Sequence, residues 1–229
     1  MTKTLADVVR AAEVLILDFD GPVAALFAGH PAAVIAGELR ELATSRGYDL
    51  TALGPLAVLP EVASFGDDQL TRQVANAARE AEIRAAESAT PTPGLDAVLA
   101  AARASGRRVA IASNNAIEAV EAYLRRRNLI GDVDLVVGRY DGMDPGLLKP
   151  HPHLVRLALD GLNAEPDTAV FIGDSSSDME AGRAAHTATV GYANKPGKRE
   201  RLQHAGADVV INHMADLADA LRTIPILAR

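Results

Sequence analysis

The chain has 229 residues, 48% of them hydrophobic and 23% charged, a balance that suits a globular protein with a sizeable core. A formal net charge of −7 argues against wholesale association with nucleic acid or an anionic membrane surface. There is no cysteine, so disulfides and thiolate metal sites are excluded, and any metal must be held by oxygen or imidazole.

The first residues carry Asp7 early, and the apolar run behind it is too short and too soon interrupted by charge for a signal peptide or a membrane span. A cytoplasmic protein is expected. The first predicted strand is Val14-Leu15-Ile16-Leu17, and it leads directly into Asp18-Phe19-Asp20-Gly21. Two carboxylates delivered at the end of a buried strand repel one another and must be neutralised, protonated or bound to a cation. In open α/β sheets ligands also gather beyond the carboxyl ends of strands, so the placement points to chemistry.

From residue 31 to 89 the pattern is helical: Ile35, Leu39 and Leu42 are spaced i, i+4, i+7, and Leu70, Val74, Ala77 and Ala81 repeat the stripe. The block ends at Thr90-Pro91-Thr92-Pro93-Gly94, where two prolines cannot continue a helix and a hinge or linker is expected. Residues 24–90 are therefore expected to form an inserted helical domain, with residues 1–23 and 91–229 making the core domain. In that second part, short β-branched runs at 109–112, 135–137, 169–172, 188–190 and 209–211 alternate with helical segments. Continuously apolar strands between helices indicate an α/β fold, a Rossmann-like doubly wound parallel sheet covered on both faces.

Four polar clusters fall after predicted strands or in the loops between them: Asp18/Asp20, Ser113-Asn114, Lys149-Pro150 and the run from Gly173 through Asp174 to Asp178. If Asp18, Asp20, Asp174 and Asp178 converge, each like-charge pair at about 4 Å costs roughly 4 kcal/mol at an effective dielectric of 20, so a cation is required. Hard oxygen donors without cysteine or clustered histidine favour Mg²⁺ over zinc. Lys149 adds a positive charge, and Ser113-Asn114 is expected to open a helix whose N-terminus favours an anion. Together these features describe a phosphoryl-transfer site.

Each cluster also has a plainer explanation. A lone Asp-x-Asp-Gly is most often a surface turn, Ser-Asn a helix cap, and Lys-Pro a solvated loop. His151 and His153 are expected at an exposed helix start. Lys195, Lys198, Arg199 and Arg201 form a basic run without interleaved aromatics, expected to be a solvated helix face. The segment from Gly191 to Lys198 is not a Walker A loop, because five residues separate its glycines and Arg199 stands where Ser or Thr is needed.

In their order across nearly the whole chain, the clusters resemble the four motifs of the haloacid dehalogenase superfamily, and the helical insert between the first two resembles a C1 cap. The resemblance implies that Asp18 is a nucleophile forming an aspartyl-phosphate, and that Asp20 protonates the leaving oxygen and then activates water. It implies Mg²⁺ on Asp18, the backbone carbonyl of Asp20, Asp174 and Asp178. It also implies that Gly21, Ser113, Asn114 and Lys149 hold the phosphoryl group. Pro22 departs from the Thr common at that place and removes a backbone donor.

Within the superfamily, Asp20 argues against dehalogenation, which needs no acid for its leaving group. The absence of lysine between Asp20 and Arg103 excludes a Schiff-base phosphonatase. The expected activity is hydrolysis of a small phosphorylated metabolite, in a layout similar to phosphoglycolate phosphatases. The alternatives are a sugar phosphomutase and a non-catalytic phosphate-binding or signalling protein. A serine esterase built on Gly173-Asp174-Ser175 lacks its Asp-x-x-His partner. Arg40, Arg46 and Arg72 are the insert's candidates for substrate contact, and a monomer and a homodimer are equally compatible with its Ala-rich helices.

Overall fold

A computed structural model describes residues 3–226. The chain begins with α1 (Leu5–Ala11), capped by a reciprocal Thr4–Asp7 box, and enters β1 (Val14–Leu17). After a short strand β2 (Ala24–Ala25) come three helices, α2 (Ala32–Thr44), α3 (Pro55–Ala63) and α4 (Asp68–Ser88), and then a second short strand, β3 (Thr90–Pro91). The remainder alternates: α5 (Leu95–Ala104), β4 (Arg108–Ala116), α6 (Ile117–Arg126), β5 (Leu135–Arg139), α7 (His153–Gly161), β6 (Ala169–Gly173), α8 (Ser176–Ala184), β7 (Ala188–Tyr192), α9 (Lys198–His204), β8 (Val209–Ile211) and α10 (Met214–Thr223).

The main sheet is parallel throughout, in the order β5-β4-β1-β6-β7-β8. With the two short strands set aside, this is the Rossmann order 3-2-1-4-5-6, as the sequence led us to expect. Every predicted core strand falls inside an observed one. β1 and β6 are buried along their whole length, which is why both read as unbroken apolar runs. Leu17 pairs with Ile111 on one side and Ile172 on the other, so β1 and β6 end at nearly the same level while β4 runs on past them to Ala116. The chain turns outward in opposite directions from β1, which makes this end the topological switch point.

The helical stripes of the sequence are the buried faces of α2 and α4: Ile35 and Leu39 on the first, Leu70, Val74 and Ala81 on the second. The proline-rich segment is more than a linker. Ala24 pairs with Pro91 and Ala25 with Thr90 in an antiparallel ribbon, so the chain leaves the core and returns to it side by side. Thr92 adds a backbone bond to the Val23 carbonyl and a hydroxyl bond to that of Gly21.

Pro22 fits this turn. The N–H groups of Val23 and Ala24 both donate to the Phe19 carbonyl and that of Gly21 to Ala24, so the turn is closed by residues on either side of the proline. A fixed φ at residue 22 stiffens it.

Ser113 and Asn114 do not open a helix, contrary to expectation. They lie within β4, and α6 starts at Ile117. The pairing of β4 with β5 shifts between Ala112 and Ala116, and the strand runs on beyond the shift. Gly138 permits it: a Cβ there would lie 2.8 Å from the Ile117 backbone and 2.9 Å from the Asn115 carbonyl.

Candidate active site

Asp18 is the first residue beyond β1, and its N–H donates to the Ile172 carbonyl at 2.8 Å, continuing the ladder by one step. That step lifts its side chain onto the carboxyl edge of the sheet. Gly173 ends β6 alongside, and Ser175 caps α8 through a reciprocal box with Asp178. The box folds Asp178 back over Gly173, where an added Cβ would lie 2.3 Å from that of Asp178. Gly21 likewise has no room for a side chain, because its Cβ would meet the Asp174 carboxyl carbon at 2.4 Å. Two glycines therefore let two acidic side chains close on Asp18.

Lys149 stands at the centre. Its ammonium donates to Asp18 Oδ1 at 2.7 Å, to Asp178 Oδ1 at 2.6 Å and to the Ala112 carbonyl at 3.1 Å, over the face of Phe171. All three of its protons have acceptors, so its charge is committed to the carboxylates rather than held free for an incoming group. Burial alone would lower its pKa; the carboxylates of Asp178 and Asp18 outweigh that and raise it.

Asp178 is equally committed. Its Oδ2 accepts from the N–H groups of Asp174 and Ser175 and from the Ser175 hydroxyl at 2.6 Å, while Oδ1 takes Lys149. Asp174 leans on Asn194, whose amide donates to Oδ2 at 3.0 Å, and on the Lys198 ammonium, which pairs with the same oxygen.

Asp18, Asp174 and Asp178 bring carboxylate oxygens within 4.8 Å of one another, a set able to hold a metal ion. Asp20 stands at the rim with its Oδ1 held by the Leu26 N–H at 2.9 Å. Three of the four carboxylates pair with two ammonium groups, those of Lys149 and Lys198, while Asp20 feels Lys198 and Lys195 at longer range. Acidity reflects the excess. Burial, then the Asp178 charge, push Asp18 up to about 7 against the opposing pull of Lys149. Burial is also the main cause that carries Asp20 to about 6. A hard divalent cation would balance the surplus, and an all-oxygen donor set suits Mg²⁺.

Beside the acids, Asn114 makes a two-point clasp on the Lys149 backbone: its amide donates to the carbonyl at 3.1 Å and its carbonyl accepts from the N–H at 2.8 Å. Ser113 exchanges bonds with Asn115, donating to Oδ1 at 3.1 Å and accepting from the backbone N–H. The candidate residues of the four motifs, Gly21 included, thus converge on one end of the sheet, and Asp18, Asp20, Ser113, Asn114, Lys149, Asp174 and Asp178 line one cavity of about 440 Å³, which Arg40, Arg46 and Arg72 do not line. Its opposite wall is Leu56, Ala57 and Pro60 of α3. Arg72 lines a neighbouring cavity, with Arg79 and Arg139, instead.

Residues 2–186 match the family described as haloacid dehalogenase-like hydrolase. The chain belongs to that family. Its motif order and its sheet agree.

Among curated relatives, the phosphoglycolate phosphatase of Aquifex aeolicus is 37% identical over 99 residues, 43% of this chain and 45% of that protein. The pyrophosphatase PpaX of Bacillus mycoides is 32% identical over 124 residues, 54% of each. The chain thus spans about half the length of the curated relatives it matches. Among solved structures, a "predicted phosphatase" from Clostridium acetobutylicum superposes with a TM-score of 0.70 at 20% identity, covering 90% of this chain and 96% of that one. The β-phosphoglucomutase of Clostridium difficile gives 0.66 at 20% identity, over 90% and 93%. At such identity the likeness is one of fold alone.

Several residues at this end of the sheet escaped the sequence. Lys198 was expected on a solvated helix face, whereas Gly197, with φ near +78°, turns the chain so that the first residue of α9 comes back onto Asp174. Nothing in the basic run signalled this. Glu82 and Arg139 form a second buried pair behind Asn114 and Asn115, and here a signal existed: Glu82 sits on the buried stripe of α4 between Ala78, Ala81 and Ala85. No helix among the described residues is long and apolar enough to cross a membrane. His151 and His153 do stand at the start of α7, His151 exposed and His153 against Tyr140.

Proposed function

We propose that this protein is a Mg²⁺-dependent phosphatase that hydrolyses a small phosphorylated metabolite through an aspartyl-phosphate on Asp18. The observation that carries the proposal is the Lys149 ammonium seated between Asp18 Oδ1 and Asp178 Oδ1, with Asp174 completing a three-carboxylate set within 4.8 Å. In this scheme residues 24–90 act as a C1 cap over a core of residues 1–23 and 91–229, working in the cytoplasm.

Asp18, the backbone carbonyl of Asp20 and Asp174 would hold the ion. Asp178, with both oxygens already engaged, orients Lys149 and Asp174 and would be a second acidic contact for the ion, direct or through water. When bound, Mg²⁺ supplies positive charge against the equatorial phosphoryl oxygens.

In the first step an Asp18 oxygen forms a bond to phosphorus as the bond from phosphorus to the leaving oxygen breaks, and Asp20 gives its proton to that oxygen. A group held at about 6 is protonated often enough near neutrality to do this and basic enough afterwards to act in reverse. In the second step Asp20 takes a proton from water as the water oxygen bonds to phosphorus and the bond to Asp18 breaks. Lys149 opposes the burial that favours the neutral form of Asp18, so that the attacking anion is available near neutrality, and Gly21, Ser113 and Asn114 mark the place of the phosphoryl oxygens.

Phosphate release from a panel of phosphomonoesters with Mg²⁺, run beside a mutase assay with a bisphosphate activator, tests this. Hydrolysis is expected, and Asp18→Asn should lower it by at least about 10⁴-fold with the fold intact by circular dichroism. Retained hydrolysis in that variant would remove Asp18 from its role; isomerisation without phosphate release would favour a mutase.

A further inference from the structure

Behind the candidate phosphoryl site lies a buried charge pair that the chemistry above does not use. Glu82, with no exposed surface, belongs to α4 and so to the helical insert, while Arg139 ends β5 in the core. Their side chains meet in a fork, Arg139 Nη2 to Glu82 Oε2 at 2.8 Å and Nη1 to Oε1 at 3.2 Å. Around the fork stands the segment that carries Ser113. The Ala116 N–H donates to Glu82 Oε2 at 2.7 Å, the Asn115 amide donates to Oε1 at 3.3 Å, and Arg139 Nη1 also donates to the Asn114 carbonyl at 2.7 Å.

Three successive residues of β4 are thus gripped from behind by one carboxylate and one guanidinium. The first two of them, with Ser113, line the reaction cavity: Ser113 is bonded to Asn115, and Asn114 clasps Lys149, which holds Asp18. The shifted pairing of β4 at this point removes the regular ladder that would otherwise fix the backbone, so the pair takes over that task. A buried fork of this kind is a weak source of stability and a good source of geometry, because a planar guanidinium admits few arrangements.

We propose that Glu82 and Arg139 are positioning residues: a clamp that sets residues 113–116 for phosphoryl binding and makes that setting depend on how α4 of the insert is seated. This rests on Ser113 and its neighbours forming the phosphoryl site proposed above. It assigns the C-terminal turns of α4 mechanically to the core, so that any movement of the insert pivots ahead of Glu82.

The test is inhibition by inorganic phosphate, with Mg²⁺ binding, read from the rise in melting temperature, as the reference. Glu82→Gln should weaken phosphate inhibition about tenfold or more and raise KM with it, since hydrogen bonds to a charged group are lost. Arg139→Lys, which keeps the charge but cannot bridge Glu82 and the Asn114 carbonyl together, should give a smaller loss in the same direction. The Mg²⁺-induced shift should survive in both, because neither residue touches Asp18, Asp174 or Asp178. Phosphate inhibition within about twofold of the parent in folded variants overturns the clamp.

Should both variants fail to fold, hydrogen exchange on the parent chain decides. Added phosphate is expected to slow exchange at residues 80–84 as well as at 113–116, since coupling between sites is reciprocal. Protection confined to 113–116 overturns the clamp. No protection in either place removes the phosphoryl site itself, and the clamp with it.

Discussion

The two ends of the central sheet each bury an arginine, and they treat it in opposite ways. At the amino end, Arg107 reaches into a ring of carbonyls: Nε donates to Ala12 at 3.0 Å, and Nη2 to Val9 at 3.0 Å and Ile224 at 2.9 Å, tying α1 and the end of α10 to the start of β4. Neutral acceptors leave the charge only partly compensated, and burial lowers its pKa. At the carboxyl end, Arg139 meets a full carboxylate, and the lysines nearby do the same. One end uses charge to fasten α1 and the end of α10 to the sheet. The other gathers charge of both signs until an acid excess remains, and that excess is what a cation and a phosphoryl group can use.

The sharpest way to break this contrast is at Lys149. Lys149→Met leaves Asp18 and Asp178 buried without their shared counter-ion, and removing one partner of a buried pair costs about 3–5 kcal/mol. We expect a large fall in melting temperature together with loss of phosphate release, measured by thermal unfolding and a phosphate assay. At the opposite end, Arg107→Ala should also lower stability, by about 2–4 kcal/mol through unsatisfied carbonyls, yet leave kcat/KM of the folded fraction unchanged. A change in kcat/KM there would mean the two ends are not separate.

The pH response separates them further. Asp18 and Asp20 hold protons more tightly folded than unfolded, at about 7 and about 6 against an ordinary 3.8, so folding takes up protons at the carboxyl end. Their contribution to stability is therefore complete below the ordinary carboxylate range and is lost as pH rises through about 6 and then about 7. Because Mg²⁺ competes with those protons, the rise in melting temperature on adding Mg²⁺ should be greater at pH 8 than at pH 5, read by thermal shift. The smallest effect is expected from Lys198→Met: relieving Asp174 of its ammonium neighbour should tighten Mg²⁺ binding a few-fold by titration calorimetry.

Much of the sheet and of the acid cluster was legible in the sequence, for a physical reason. Polar residues are costly in strands buried on both faces, so the polar runs after Leu17 and Ile172 mark strand ends and the one after Ala112 marks the irregular end portion of β4, and a parallel sheet brings these places together. What failed was anything set by the path of a loop. Ser113-Asn114 looks like a helix start because Ser and Asn favour caps, yet a shift in strand pairing and the close passage of Gly138 hold it extended. Lys198 is one lysine among several until Gly197 aims it. Glu82 was readable, as a carboxylate on an otherwise apolar stripe, but its partner Arg139 lies 57 positions away and shares no local pattern with it.

The ribbon of β2 and β3 has a bearing on how such a chain tolerates change. With Ala24 bonded across to Pro91, the sheet meets everything between them as one closed hairpin whose ends are already joined. Lengthening or shortening what lies beyond the ribbon alters loop-closure entropy only logarithmically, about 0.6 kcal/mol per doubling, and leaves the strand ends where they are. The carboxyl edge of the sheet and the helices beyond the ribbon can therefore change in length independently, while the Glu82–Arg139 ion pair joins them at one point.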